Sequence, residues 1–229
     1  MSQKVGSGAV DFTVIATLND NTPTLVNIPV SPTTLIGIMA QAPVQIPLDS
    51  SHFAIVSPIG VTATVDGYYF PVSWPVSGTQ LNVTTLGLSS SNTSIVVLYF
   101  GRPGPNNISL KAFAAVYSIV SLSNSGSSAA TISTNVQLTF PAGTITYTGA
   151  FIVDFQSAAN YVEFSFNSPL SGALVQGFIP KGAVNSQAYR GILALDNIKG
   201  ATTLNVTLSA NLPASTTENV MLIMYYNYQ

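Results

Sequence analysis

A six-residue motif occurs twice in this chain and is followed both times by an apolar run. Residues 79–84 have the sequence TQLNVT and residues 202–207 have the sequence TTLNVT. Each copy leads through residues rich in Ser, Thr and Asn into a strongly apolar segment, Ile95–Phe100 or Val220–Tyr226. The start of each copy also repeats weakly, as TLNDN at 17–21 and SLSNS at 121–125. Two blocks in the same order at similar separations predict two copies of one fold.

The break between the copies is predicted at GRPGPNN, residues 101–107, because Pro and Gly at this density do not continue a strand ladder. We therefore expect a first domain at 8–101, a linker at 102–107 and a second domain at 108–229. Each has the size of a jelly-roll or immunoglobulin domain, roughly a hundred residues with about eight strands. The chain has no cysteine, so the Cys–Trp–Cys core of an immunoglobulin domain is missing.

The fold class predicted is all-β, as two tandem antiparallel β-sandwich, jelly-roll-like domains. β-branched and aromatic residues are abundant, and they favour pleated surfaces. Short runs of them alternate with Gly, Pro, Asn and Ser, which is typical of a sandwich or barrel. The predicted strands are Phe12–Leu18, Thr24–Val30, Phe53–Val56, Val61–Val65, Ile95–Phe100, Ala115–Leu122, Ile132–Phe140, Phe151–Phe155, Tyr161–Phe166 and Val220–Tyr226. A helix over Leu110–Val120 is an alternative for that segment.

Two hairpins are predicted. In the first, Asp66-Gly67 forms a two-residue turn between 64–65 and 68–69. In the second, Phe151–Phe166 folds back at Ala158-Ala159, with alternate apolar residues on one face. That register places Asp154 opposite Glu163 on the polar face. Such a carboxyl pair would repel at neutral pH and share a proton in acid; the alternative is two separate solvated carboxylates.

Charged residues make up 6% of the chain, while hydrophobic residues reach 47%. The remaining surface must consist of hydroxyl and amide side chains, whose interactions do not depend on pH or salt. We therefore expect little change in acid. The six Lys and Arg residues are scattered along the sequence, and the net charge is −2. Binding of nucleic acid needs clustered cations, so we expect none.

No constellation for catalysis is evident, and we expect no enzyme activity, no cofactor and no metal. His52, the only histidine, follows Asp49-Ser50-Ser51 in one loop, whereas catalytic triads converge from separate elements. Residues 19–21 (NDN) could supply oxygen ligands to calcium, but a polar hairpin turn is the favoured interpretation.

Four N-x-[ST] sequons occur, at Asn82, Asn92, Asn107 and Asn205. Asn82 and Asn205 are equivalent positions of the repeated motif, so a glycan there would shield the same surface in both domains. Chance is the alternative in a chain this rich in Asn, Ser and Thr.

The N-terminus lacks the apolar run of a signal peptide. The dense apolar stretch at Val220–Tyr226 is far shorter than the roughly 20 residues that span a bilayer. We therefore expect a soluble protein without membrane insertion that is not exported by the usual secretory route.

The near-absence of charge, the Ser/Thr/Asn surface, the lack of cysteine and the tandem repeat that ends in apolar strands together resemble a known family. The chain is similar over its whole length to turret and vertex proteins of archaeal turreted icosahedral viruses, of the Sulfolobus turreted icosahedral virus type. The resemblance implies a virion protein made in the host cytoplasm, with jelly-roll domains in a five-fold ring of identical copies. It also implies contact with other capsid proteins and with a host surface glycan, and no catalysis. The chain is short for the usual double jelly-roll major capsid proteins.

Two alternatives remain. The chain could be a subunit of an extracellular filament in which Phe12–Leu18 completes the sheet of the next subunit. It could also be a carbohydrate-binding module that uses the aromatic cluster of Tyr68, Tyr69, Phe70 and Trp74. Those aromatic residues fit a core or a subunit contact equally well.

Overall fold

A computed structural model of the chain describes residues 4–5, 8–57, 68–154, 158–168, 172–180, 188–191, 197–199 and 202–228. In this part of the chain almost all regular structure is β-strand, with one short 3-10 helix at Leu110–Phe113. The strands are β1 (Lys4–Val5), β2 (Gly8–Asn19), β3 (Thr24–Asn27), β4 (Thr33–Ala40), β5 (Val44–Pro47), β6 (Phe53–Val56), β7 (Tyr68–Val76), β8 (Gln80–Thr85), β9 (Thr93–Arg102), β10 (Ile108–Ser109), β11 (Ala115–Asn124), β12 (Ala130–Phe140), β13 (Thr144–Asp154), β14 (Tyr161–Asn167), β15 (Leu174–Pro180), β16 (Ala188–Gly191), β17 (Asn197–Lys199), β18 (Thr202–Leu212) and β19 (Thr216–Tyr228).

The chain divides into two compact units between Phe113 and Ala114. The first unit contains a six-stranded sheet of order β1-β2-β9-β4-β7-β10 and a four-stranded sheet of order β3-β8-β5-β6. If β2 to β9 are lettered B to I, the two sheets have the orders B-I-D-G and C-H-E-F, with β1 and β10 added at the edges. This is the strand order of a jelly roll. The pairs are antiparallel, apart from the parallel pair of β10 with β7.

The second unit repeats this topology. Its sheets have the orders β11-β19-β13-β16 and β12-β18-β14-β15, and β17 pairs with β13. Lettering β11 to β16 as B to G, and β18 and β19 as H and I, again gives B-I-D-G and C-H-E-F. The predicted fold class of two tandem antiparallel β-sandwich, jelly-roll-like domains is therefore confirmed. We call the two kinds of sheet the BIDG and CHEF sheets.

The sequence repeat corresponds to the H and I strands of the two units. The motif forms β8 in the first unit and β18 in the second, and the apolar runs form β9 and β19. In each H strand the Leu and Val of the motif are buried: Leu81 and Val83 in β8, Leu204 and Val206 in β18. Both I strands lie inside their BIDG sheets, each between a B and a D strand. The predicted central position of both apolar runs is thus observed.

The weak repeat at 17–21 and 121–125 also has a structural basis. Leu18 and Leu122 are both 2% exposed near the ends of the two B strands. Two residues later the chain buries a polar side chain in each unit, Asp20 and Asn124. The carboxylate of Asp20 accepts a hydrogen bond from Thr85 Oγ1 at 2.7 Å. The Asn124 amide donates to the carbonyl oxygens of Ser128, Leu212 and Pro213 at 2.9–3.1 Å. Each polar side chain thus ties the end of strand B to the end of strand H.

The division between the units lies later than the linker predicted at 102–107. Strand β9 continues to Arg102, and β10 pairs with β7 of the first unit. The side chain of Asn107 donates to the carbonyl oxygens of Ile36 and Val72 at 2.6 and 2.7 Å, and Leu110 belongs to the first core. Residues 104–113 therefore attach to the first unit. The helix considered for Leu110–Val120 is limited to the 3-10 turn at Leu110–Phe113, and a strand follows from Ala115.

The hairpin predicted for Phe151–Phe166 is wrong. Strand β13 pairs with β19, so that Phe151 faces Ile223 and Asp154 faces Val220. Strand β14 pairs with β15 and β18 in the other sheet. The two strands are D and E of a jelly roll, which belong to opposite sheets. Both alternate because both face one core, and this common alternation imitates a hairpin. The hairpin predicted at residues 64–69 includes residues outside the described part, and Tyr68 and Tyr69 begin β7.

Candidate assembly surface

The outer face of the BIDG sheet in the first unit carries exposed apolar side chains. Ile15 on β2 is 71% exposed and Ile95 on β9 is 45% exposed. Val97 lies opposite Ile15 on one side and opposite Met39 of β4 on the other. Val97 and Met39 are half-buried. The hydroxyl of Tyr99 points at Met39 Sδ, 3.9 Å away. We call these five residues the first open face.

The first open face departs from the pattern of an ordinary sandwich. An antiparallel sheet with one solvated face carries polar residues there. In this unit β2 does show alternation, but the outward positions include Ile15 among Thr13, Thr17 and Asn19. Residues 12–19 and 93–101 contain no charged side chain. A contiguous uncharged apolar patch on the surface indicates a contact site.

The equivalent face of the second unit is buried. On β19 the side chains of Leu222, Met224 and Tyr226 alternate with those of Met221, Ile223 and Tyr225. The ring of Tyr226 packs edge-on against that of Phe140 of the CHEF sheet, with the ring centroids 5.5 Å apart. Leu222, Met224 and Tyr226 therefore point towards the core, and Met221, Ile223 and Tyr225 point outward. The outward set is nevertheless 0–7% exposed. Burial raises the pKa of Tyr117, which lies opposite Ile223 on this same face.

A second exposed face lies on the CHEF sheet of the second unit. Its outward side chains form a ladder of neutral hydrogen bonds between strands β12 and β18. The pairs are Ser133 with Ser209 at 2.8 Å, Thr207 with Asn135 at 3.1 Å, Gln137 with Asn205 at 3.4 Å and Asn211 with Thr131 at 3.2 Å. Strand β15 adds Leu174, 62% exposed, and Phe178, 47% exposed. The Phe178 ring lies 5.8 Å from that of Tyr161. We call this surface the second open face.

The predicted carboxyl pair does not form between Asp154 and Glu163. The two residues lie in different sheets, as the corrected pairing of β13 and β14 requires. Glu163 is half-buried on the second open face, where its register partners are Ser209 and Phe178. The structure instead buries two other carboxylates: Asp20 at 5% exposure and Glu218 at 0%. Glu218 Oε2 accepts a hydrogen bond from the Ala159 backbone at 2.6 Å.

The four sequons have different environments. Asn92 and Asn205 are exposed, whereas Asn82 is half-buried. The side-chain oxygen of Asn82 is buried and has no hydrogen-bond partner among the described residues. Asn107 uses its amide nitrogen for the two hydrogen bonds to the first unit, so a glycan on that nitrogen would disrupt both. Of the two equivalent motif positions, only Asn205 has a solvent-exposed side chain.

The histidine loop joins β5 to β6. Asp49 accepts hydrogen bonds from the backbone N–H groups of Ser51 and His52 at 2.8 and 2.9 Å, and His52 Nδ1 lies 2.9 Å from its carboxylate. The Ser51 backbone N–H, together with the His52 side chain, lowers the pKa of Asp49 below its ordinary value. These hydrogen bonds make the Asp-Ser-Ser-His segment a turn stabilised by the Asp49 carboxylate.

Residues 19–21 also form a structural turn. Asn21 has a positive φ of 59°, and its side chain donates to the Gly87 carbonyl at 2.7 Å and accepts from the Gly87 N–H at 3.2 Å. A Cβ on Gly87 would lie 2.2 Å from Asp20 Oδ2. Residues 19–21 therefore form a hydrogen-bonded turn that joins β2 to the segment after β8. Within the described ranges, no group of three or more His, Cys, Asp or Glu residues could hold a metal ion.

The filament and carbohydrate-binding alternatives concern residues of β2 and β7. The segment Phe12–Leu18 is not a free donor strand, because β2 pairs with β1 and β9 in its own sheet. In the aromatic cluster on β7, Phe70 and Trp74 pack against the first core. That arrangement matches the interpretation of these two rings as core residues. Among the described residues, no helix is long and apolar enough to cross a membrane.

No protein-family model matches the chain, and no curated protein is significantly similar to it in sequence. Solved structures do show similarity. The major capsid protein P2 from bacteriophage PM2 is 10% identical, with a TM-score of 0.36, over 94% of this chain and 98% of that one. A structure of infectious bursal disease virus is 8% identical, with a TM-score of 0.26, and the match covers 57% of its length. Xanthan lyase from Paenibacillus is 11% identical, with a TM-score of 0.27, over 25% of its length. At these TM-scores the similarities carry no argument about function.

Proposed function

We propose that this chain is a non-enzymatic structural protein of a virus particle that assembles with copies of itself. Two jelly rolls of identical strand order in one chain support the proposal, since jelly rolls are a common architecture of viral capsids. The architecture also occurs in lectins and cupins, so fold alone does not decide function. The surface chemistry of the first open face is what favours assembly.

The single observation that carries the proposal is the exposure of Ile15 and Ile95 on an uncharged sheet face. Fully burying an Ile side chain is worth about 1.5–3 kcal/mol, so a partner on this face gains appreciable free energy. No charge has to be desolvated on residues 12–19 or 93–101. Contact between copies at this face is therefore favourable without ion pairing.

A more specific role belongs to the same proposal. A turret or vertex component would form a five-fold ring, contact other capsid proteins and meet a host surface glycan, within the virion. The resemblance to proteins of archaeal turreted viruses supports this role. A surface with few titratable groups suits hosts that live in hot acid.

Sedimentation velocity over a range of protein concentrations, with negative-stain imaging of the associated fraction, tests the proposal. We expect the wild-type chain to form discrete assemblies. Replacing Ile15→Glu should raise the concentration needed for half-association at least about tenfold, because a buried carboxylate would have no partner. The control Ser90→Glu places the same charge on an exposed loop and should leave the midpoint unchanged.

Thermal melts of both variants verify that folding is intact, since Ile15 is 71% exposed and its loss should cost little stability. A wild-type chain that stays monomeric over the whole concentration range would overturn the proposal. So would an Ile15→Glu variant that associates as readily as Ser90→Glu.

A further inference from the structure

The two jelly rolls differ in their outer BIDG faces. In the first unit the outer BIDG face is exposed at Ile15 and Ile95, and in the second unit it is buried at Met221 and Ile223. The outer CHEF face is exposed in both units, at Leu25 and Phe53 in the first and at Leu174 and Phe178 in the second. The two most exposed large apolar side chains of the described residues, Ile15 and Leu174, lie one on each open face.

We propose that the first open face of one copy docks onto the second open face of another copy. The inference rests on the proposed function and deepens it by naming both sides of the contact. Its occupant is a second copy of this chain, with Leu174 and Phe178 of β15 seated against Ile15 and Ile95 of β2 and β9.

The chemistry of the two faces is compatible. The first open face has no charged residue on 12–19 or 93–101. The second presents hydroxyl and amide side chains that already hydrogen-bond to one another across β12 and β18. Polar groups that are paired among themselves lose less on contact with an apolar surface than unpaired groups do. Glu163 is half-buried within this face, between its register partners Phe178 and Ser209, whereas Leu174 pairs with Asn167. The contact therefore centres on Leu174 and leaves the Glu163 carboxylate in contact with water.

The size of the contact explains why it must be repeated to be stable. The uncharged part of the face comprises residues 12–19 of β2, 93–101 of β9 and all of β4, Thr33–Ala40. At the usual rise and strand spacing, it covers roughly 400 Å². A stable standard interface buries about 800 Å² on each partner. One such contact is therefore weak, and a closed set of them is held by the contacts on both sides of each copy.

The alternative is an isologous pair in which two first open faces meet. That arrangement satisfies one face, leaves Leu174 and Phe178 exposed, and ends at a dimer. A contact between two different faces leaves one of each free on every growing chain, so it builds a ring or an open fibre. A particle component needs contacts that continue beyond a pair, which favours the heterologous arrangement.

The two arrangements are separated by mixing single-face variants. Ile15→Glu blocks the first open face and Leu174→Glu blocks the second, while Ala129→Glu is the control on an exposed loop of the second unit. Each blocked variant alone should stay monomeric where the wild type associates, and Ala129→Glu should behave as wild type. An equimolar mixture of the two blocked variants retains one intact face of each kind, so it should form a dimer and no larger species. Sedimentation velocity resolves these species.

Each outcome is decisive. If Leu174→Glu associates as readily as Ala129→Glu while Ile15→Glu does not, the contact is isologous and the inference is overturned, although the proposed function stands. If mixing the blocked variants produces no dimer, the inference is likewise overturned. If the wild-type chain does not associate at all, the proposed function fails together with the inference.

Discussion

The I strands of the two jelly rolls occupy the same place in the same topology and yet differ in environment. Strand β9 buries one face and exposes Ile95 on the other, whereas β19 buries every side chain from Val220 to Tyr225. Both are apolar runs flanked by a B and a D strand. The repeated motif thus accompanies the same sandwich topology in both units, while the outer faces of the two BIDG sheets differ in exposure. An apolar run therefore predicts a central strand. It does not determine whether the outward side chains are exposed, as Ile95 is, or buried, as Ile223 is.

The largest expected effect comes from placing a carboxylate on each I strand. Ile223→Asp would bury an unpaired charge and should lower the free energy of unfolding by about 3–5 kcal/mol. Ile95→Asp, on an exposed position of the equivalent strand, should change the stability by less than about 0.5 kcal/mol. Urea unfolding of the two variants measures the difference. Equal losses would show that the outer faces of β9 and β19 do not differ as described.

The buried polar side chains at the ends of the B strands offer the next comparison. Asn124→Ala removes donors from three carbonyl oxygens and should cost about 2–3 kcal/mol. Asp20→Ala leaves the buried Thr85 hydroxyl without its acceptor and should cost about 1–2 kcal/mol. Chemical unfolding with both variants tests the equivalence of the two positions. If either variant has the same free energy of unfolding as the wild type, the hydrogen bonds between strands B and H do not stabilise that unit.

Much of this fold follows from the sequence because the repeat and the apolar runs are local. The H and I strands could be located from the motif at 79–84 and 202–207, as could the two-domain organisation. The pairing of β13 and β14 could not, since alternation reveals which face is buried but not which sheet a strand joins. Strand β4, with the sequence TTLIGIMA, escaped prediction because its buried residues at 35–38 are consecutive and therefore show no alternation.

The candidate surface was less accessible to sequence analysis than the fold. Ile15 lies within the predicted strand Phe12–Leu18, but the residues that complete its face, Val97 and Met39, depend on the pairing of β9 with β2 and β4. The alternation of Phe12, Val14, Ala16 and Leu18 on the other face was the available signal, because it leaves Ile15 on the solvent side. The burial of the outer face of β19 had no such signal, since its run is apolar at consecutive positions.

Salt should affect association only slightly. The first open face carries no charge, so Glu163 of the second open face has no charged partner there and screening has little to weaken. Raising the salt concentration should leave the association midpoint unchanged or lower it modestly, because apolar contacts strengthen in kosmotropic salts. Light scattering across a salt series measures this. Dissociation at moderate salt would indicate an ionic contact and would contradict the apolar account of the open faces.

The smallest expected effect is that of acid on unfolding. The pKa of Asp49 is lowered in the folded state, mainly by the Ser51 N–H, so this carboxylate stabilises the fold above its ordinary pKa. The contribution is lost as the pH falls through the lowered value. Because Asp49 is exposed, the loss should be small, and the melting temperature should change little from neutral to acid pH. Asp49→Asn should flatten the remaining dependence, and a midpoint that collapses in acid would refute the prediction.

The most direct test of the account is a cross-linking experiment that exploits the absence of cysteine in the chain. A variant with both Ile15→Cys and Leu174→Cys places one thiol on each open face, and a bis-maleimide of about 10 Å spans two sheets packed face to face. Under associating conditions the account predicts a covalent ladder of dimers and larger species. Ile15→Cys and Leu174→Cys mixed as single variants should give dimers, while neither alone should cross-link. Efficient dimers from Ile15→Cys alone, or no cross-linking where the wild-type chain associates, would contradict it.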